Sequence, residues 1–186
     1  MRTFLLTLLV CMASAVAVAD DKAAKERAEI QKIEKETLAK LYSLQPSAKG
    51  AIEKAAGYAV FSNFGMKILV AGSGSGKGVA VDRKTQKRTY MRMGELQAGL
   101  GIGMKKFQVV FVVETPDKLQ AFLNQGWEYG GQTTAAASTG DKGGSMQGAL
   151  SVSPGVWIYQ LTDKGLAVEA TVKGTKYWKD EALNKS

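Results

Sequence analysis

Residues 57–78 read GYAVFSNFGMKILVAGSGSGKG, an apolar run that closes on glycines at alternate positions, Gly72, Gly74, Gly76 and Gly78. Strand side chains alternate between faces, so these four glycines leave one face of an extended segment bare. Each costs about 0.5–1 kcal/mol against alanine in a strand, so something must use that face. A phosphate-cradling P-loop needs a glycine, four residues, then Gly-Lys-Ser/Thr. Here Ala71 holds the first glycine position, and Gly78 stands where the magnesium-binding hydroxyl belongs. A flexible linker is opposed by Ile68-Leu69-Val70 before the run and Val79-Ala80-Val81 after it. The reading left is a strand whose bare face admits a close neighbour or lets a sheet coil tightly toward closure.

Outward from this run the pattern is mostly short strands. Residues 58–64 and 66–71 are apolar runs around Gly65, suited to buried strands or a sharp hairpin. Residues 79–82, a polar DRKTQK turn and residues 88–93 form the clearest hairpin, with Met91 and Met93 on a core face opposite Tyr90 and Arg92. Residues 105–114, rich in valine and phenylalanine, read as a central strand. Thr115-Pro116-Asp117 opens a helix that Gly126 stops. Strands are then expected at 127–136, 145–152, 156–161 and 166–172. Upstream, residues 21–44 have an apolar stripe at Ile30, Ile33, Leu38, Leu41 and Leu44 and a basic face among glutamates, an amphipathic helix ended by Pro46. A second short helix is expected over 47–56. The expected fold class is α+β: a mostly antiparallel, strongly coiled or barrel-like β-sheet with an N-terminal helical region and one or two covering helices.

GYAVF with its glycine-rich strand, followed by a second glycine track at Gly94, Gly99, Gly101 and Gly103, resembles the SYLF domain family of lipid-binding proteins. The resemblance extends more loosely from about Leu41 to Lys173. It implies binding to membrane lipids, which in eukaryotic members are phosphoinositides, and a lipid contact by the region before the domain. Some members also bind actin; no SH3-like module is recognised beside this domain, so that role is not expected to carry over. Bacterial membranes generally lack phosphoinositides, which makes anionic phospholipids the expected substitute.

The first residues, MRTFLLTLLVCMASAVAVADD, have one arginine, an apolar stretch and Ala17-Val18-Ala19 before two aspartates, the layout of a secretory signal. The expected division is a signal at 1–19, an amphipathic helix at 20–45 and a SYLF-like domain at 46–186, with a periplasmic destination. Lipoprotein anchoring through Cys11 is the minor alternative, since Val10 is bulky where a small residue is wanted. Loss of the signal removes the only cysteine, and the chain has no histidine. Thiolate nucleophiles, thiolate or imidazole zinc sites and Ser-His-Asp arrangements are thereby excluded from the mature chain. Carboxylate pairs such as Glu114 with Asp117, or Asp163 with Glu169, have no spacing that singles them out. The expectation is a non-enzymatic protein without cofactor or metal.

The sequence has 25 Lys+Arg against 17 Asp+Glu, a net charge of +8, and the signal takes away only Arg2. Such a charge favours anionic surfaces. It is densest in DRKTQKRTYMRM, so the candidate lipid-binding residues are Lys77, Arg83, Lys84, Lys87, Arg88, Arg92, Lys105 and Lys106. Each basic group near an anionic bilayer contributes about 1 kcal/mol, enough together for reversible docking. The expected function is an exported protein that associates with anionic phospholipid membranes through cationic loops, with no nucleic-acid partner. The alternative is a structural or partner-binding envelope protein whose charge keeps it soluble. Two further readings stay open: an apolar cavity inside the sheet or a packed core there, and a binding or core role for Trp127, Tyr129, Trp157 and Tyr159.

Overall fold

The computed structural model describes residues 3–68, 71–98, 103–129, 146–166 and 175–185, with backbone alone at 3–20, 63–68, 71–72, 95–98, 103–106 and 128–129. Helix α1 spans Thr3–Leu44 and runs unbroken past the expected cleavage position near Asp20; α2 spans Ser47–Lys54 and α3 Pro116–Gln125. Among the described residues no helix is long and apolar enough to cross a membrane. The strands are β1 (Gly57–Ile68), β2 (Ala71–Asp82), β3 (Arg88–Ala98), β4 (Gly103–Val113), β5 (Trp127–Tyr129), β6 (Leu150–Ser153), β7 (Val156–Thr162), β8 (Gly165–Leu166) and β9 (Thr175–Lys179). They form one antiparallel sheet in the order β5-β9-β3-β2-β1-β4-β7-β6, with β8 beside β7.

The sheet is a strongly curled half-barrel. Five strand steps separate β5 from β4, which in a flat sheet would be about 24 Å. The rings of Trp127 on β5 and Phe111 on β4 nonetheless lie 5.2 Å apart. Phe61, Phe111, Phe122, Trp127 and Tyr177 fill the concave side in edge-to-face and tilted contacts, so a packed core occupies the space that the cavity reading needed. Leu119 and Phe122 of α3 close this core. On the convex side α1 and α2 cover Tyr58, Val60, Val79, Val81, Val110, Val112 and Tyr159. Both faces of β1 over residues 57–61 and of β4 over 109–113 are therefore buried, which is why those stretches read as continuous apolar runs.

The glycine track belongs to β2, with Gly76 and Gly78 on the concave face. A Cβ on Gly76 would lie 2.6 Å from the Met93 Cγ, and one on Gly78 would lie 2.7 Å from the Phe61 Cγ. Phe61 stands directly across from Gly78. Large side chains from β1 and β3 thus lean over β2, and the bare strip lets the sheet curl around them.

Several expectations need correction. Gly65 makes no turn: it pairs with Gly74 and Lys105 inside a single long β1. Helix α2 ends at Lys54 and Gly57 opens β1. Strand β9 was not anticipated, although it links β3 to β5. The buried stripe of α1 is Ile30, Glu34, Thr37 and Leu41, with Ile33 and Leu38 half-buried and Leu44 exposed. Residues 130–136, 145 and 167–172 of the expected strands, and Gly99 and Gly101 of the second glycine track, lie outside the described residues. As expected, β4 is central, α3 stops at Gly126 with φ 69°, and Met91 and Met93 are buried on the core face. Trp127 joins the aromatic core, while Trp157 and Tyr159 are buried on β7.

Candidate functional site

The turn that joins β2 to β3 builds itself from local groups. The Asp82 carboxylate accepts the Lys84 and Thr85 backbone N–H groups, each at 2.9 Å, and Gln86 adopts φ 59° to close the loop. The Thr85 amide first, with the Thr85 hydroxyl, the Lys84 amide and the Lys84 charge, holds the Asp82 carboxyl below the usual carboxylate range against the opposing effect of desolvation. The side chains of Lys84 and Lys87 are left in solvent at the tip.

The eight candidate cations do not act as one patch. Lys77 and Arg92 face each other across β2 and β3, a like-charge pair that would be unfavourable alone. Glu26 of α1 resolves it, 2.7 Å from Lys77 Nζ and 3.8 Å from Arg92 Nη2, while Arg92 Nε lies 2.6 Å from the buried Asp180 carboxylate. Arg88 Nε donates to Glu34 Oε2 at 3.4 Å. Glu34, itself 3% exposed, also accepts the Tyr58 hydroxyl at 2.7 Å. Burial first, and that hydrogen bond second, push the Tyr58 hydroxyl well above the ordinary tyrosine range. Arg83 is half-buried beneath the turn, its backbone N–H bonded to the Ala56 carbonyl. Lys105 and Lys106 lie opposite Gly65 and Phe64, eight residues along β1 from the residue that faces Asp82. That places them about 26 Å from the hairpin turn. Three of the eight are thus held by acids from α1 and the C-terminal segment, and Lys84 and Lys87 are the exposed members at the hairpin tip.

The structure brings further cations to that end. Beside the hairpin a cleft of about 480 Å³ opens between Arg88–Tyr90 of β3, the outer face of α3 and the C-terminal segment. Its charged lining is Arg27, Lys87, Arg88, Lys179 and Lys185, with Asp82 the single acid. Gln120 and Asn124, one helical turn apart on α3, add amide groups, and Thr89 adds a hydroxyl. The cleft exists because the β3–β9 register ends at Met91 and Lys179, so β3 continues without its partner strand. Asn184 fills part of that role: its side chain accepts the Tyr90 N–H at 3.0 Å and donates to the Tyr90 carbonyl at 2.7 Å. Arg27 ties the C-terminal segment to α1 by donating to the Leu183 and Lys185 carbonyls at 2.9 and 2.8 Å.

A family model described as "Ysc84: Las17-binding protein actin regulator" matches residues 94–186, half of the chain. The chain belongs to the Ysc84, or SYLF, family. It is also similar to an Aeromonas veronii protein called beta cell expansion factor A, at 38% identity over 168 residues. That alignment covers 89% of this chain and 62% of the relative, so the chain spans less than two thirds of that protein's length. The matched family region takes in α3, β9 and the C-terminal turns, and therefore Lys179, Lys185, Gln120 and Asn124 of the cleft. The sequence reading did not nominate these four, nor Arg27. One signal was present: TKYWK alternates as a strand with Tyr177 inward and Lys176 and Trp178 outward. Among the described residues no cluster of carboxylate, cysteine or histidine side chains could hold a metal ion.

Proposed function

We propose that this SYLF protein is an exported, non-catalytic membrane binder that docks on anionic phospholipid surfaces through the cationic end of its half-barrel. One observation carries the reading: Lys84, Lys87, Lys179 and Lys185, on two separate chain segments, are all exposed at the end where the β2–β3 turn lies. At about 1 kcal/mol each near an anionic bilayer, four such lysines account for reversible, salt-sensitive docking. Lys77, Arg88 and Arg92 hold α1 and the C-terminal segment onto the sheet instead. The secretory layout of residues 1–19 supports export to the periplasm, and the family's lipid-binding character supports the target. A second reading draws on the family model's printed description, which names a protein partner: the same cationic end would then meet an acidic protein surface.

Co-sedimentation with vesicles separates them. The full chain is expected to pellet with phosphatidylglycerol vesicles and not with pure phosphatidylcholine. Charge reversal of Lys84, Lys87, Lys179 and Lys185 should abolish pelleting, and Lys77→Gln, whose partner Glu26 lies on α1 away from these lysines, should leave it largely intact. Failure to pellet with anionic vesicles even at low salt would remove the membrane reading and favour the protein partner.

A further inference from the structure

We propose that the cleft beside the β2–β3 hairpin is a discrete pocket for a phosphomonoester dianion, presented on a membrane by a lipid headgroup; only the lipid source rests on the membrane-binding reading above. Its volume, about 480 Å³, lies within the range of small-ligand sites. A phosphorylated headgroup fits there, whereas the diffuse attraction of a bilayer requires no cleft at all.

The charge bookkeeping inside the cleft is one-sided. The lone lining acid, Asp82, already accepts two backbone N–H groups of its own turn. Arg88 is matched by Glu34. Lys87, Lys179 and Lys185 have no carboxylate within ion-pair distance among the described residues. These lysines also do not sit on free tails. Lys87 stands at the closure of the hairpin, its carbonyl accepting the Asp82 N–H at 3.0 Å. Lys179 ends β9 opposite Met91. The Lys185 carbonyl is gripped by Arg27. Three lysines from separately anchored segments line the one cleft, and Gln120, Asn124 and Thr89 add neutral groups to the same lining.

That set suits one class of anion. A carboxylate carries one charge and about four acceptor sites, and a phosphodiester also carries one charge. A phosphomonoester carries about −1.5 to −2 charge at neutral pH and three terminal oxygens. Arg27 is bonded only to neutral carbonyls, so four lining cations lack an ion-pair partner among the described residues and Asp82 offsets one of them; the net excess of three positive charges, with two amides, matches the latter. A singly charged ligand would leave most of the lysine charge mutually repelling. The monoester is therefore favoured over a diester beyond what net surface charge gives.

The test compares vesicles of phosphatidylcholine doped with phosphatidate against vesicles doped with enough phosphatidylglycerol to match surface charge, using the full chain. Phosphatidate should bind about tenfold tighter, the worth of one charge-assisted hydrogen bond. Lys179→Gln with Lys185→Gln should bring the two vesicles to parity, whereas Lys84→Gln, outside the cleft, should weaken both alike. Unchanged thermal midpoints would show that the variants fold. Soluble glycerol 3-phosphate should compete with phosphatidate vesicles and spare phosphatidylglycerol ones. Equal binding at matched charge would overturn the pocket and leave the membrane reading standing. Binding of glycerol 3-phosphate by the wild type and not by the double variant, without any vesicle binding, would uphold the pocket and overturn the membrane source. No binding in any arm would overturn both.

Discussion

Gly78→Ala and Gly50→Ala make the same chemical change at two sites and should move stability in opposite directions. Gly50 lies inside α2 with nothing within 4 Å of a built Cβ, so alanine there should stabilise by about 0.5–1 kcal/mol through helix propensity. Gly78 has the same entropic handicap in β2, and relieving it returns about 0.5–1 kcal/mol. Its Cβ, however, would sit 2.7 Å from the Phe61 Cγ and closer still to the Val60 carbonyl oxygen. Phe61 has no room to retreat: it is fully buried, with ring centroids 4.7 Å from Tyr177 and 5.8 Å from Phe111. Overpacking of this kind costs about 1–3 kcal/mol, and disturbing each aromatic pair adds about 0.5–1.5 kcal/mol. The net expectation for Gly78→Ala is a loss of about 1–5 kcal/mol, seen in urea titration, with a fall in the thermal midpoint of about 2–4 °C per kcal/mol. In a Phe61→Leu background the added cost of Gly78→Ala should shrink by about 0.5–1 kcal/mol, since the ring part of the clash is gone and the Val60 carbonyl part remains. A neutral or stabilising Gly78→Ala would refute the idea that the bare strip of β2 exists to admit Phe61.

Tyr159 is fully buried and its hydroxyl has no hydrogen-bond partner among the described residues, so Tyr159→Phe should be neutral or stabilising by up to about 1 kcal/mol in the same titration, whereas Tyr58→Phe, which strips Glu34 of a donor, should cost about 1–3 kcal/mol. Glu26→Gln leaves Lys77 facing Arg92 without an intervening acid; a loss of about 0.5–1 kcal/mol at low salt should shrink as salt is added. Burial raises the hydroxyl pKa of Tyr42, Tyr58 and Tyr159, the last to about 12, so each holds its proton in the folded state at pH values where the unfolded chain releases it. The folded state then binds more protons, and stability, intact below about pH 10, should fall as pH rises above it; a urea midpoint that climbs with alkaline pH, read beside tyrosinate absorbance, would contradict this.

Local chemistry was legible in the order of the residues. Alternation put Met91 and Met93 on the core face, Thr115-Pro116 and Gly126 bounded α3, the hairpin turn followed from its polar run, and the glycines of β2 announced a bare strip. These features depend on residues within a few positions of one another, where backbone preference and side-chain period act directly. Which charges pair with which was not legible there, because the partners come from distant segments. A run of like charges around residues 77–92 looked like one binding patch, yet Glu26 and Glu34 arrive from α1 and Asp180 from the far C-terminus to occupy Lys77, Arg88 and Arg92. The apolar stripe of α1 suggested that Ile33 and Leu44 would face the sheet. The Tyr58 hydroxyl and the Arg88 guanidinium instead reward a rotation that buries Glu34. The cleft is the extreme case: Arg27, Lys87 and Lys179 are remote in sequence and converge only because the sheet curls and β9 ends before β3 does. Charge is additive along a sequence, but its availability depends on which opposite charges the fold delivers within about 4 Å.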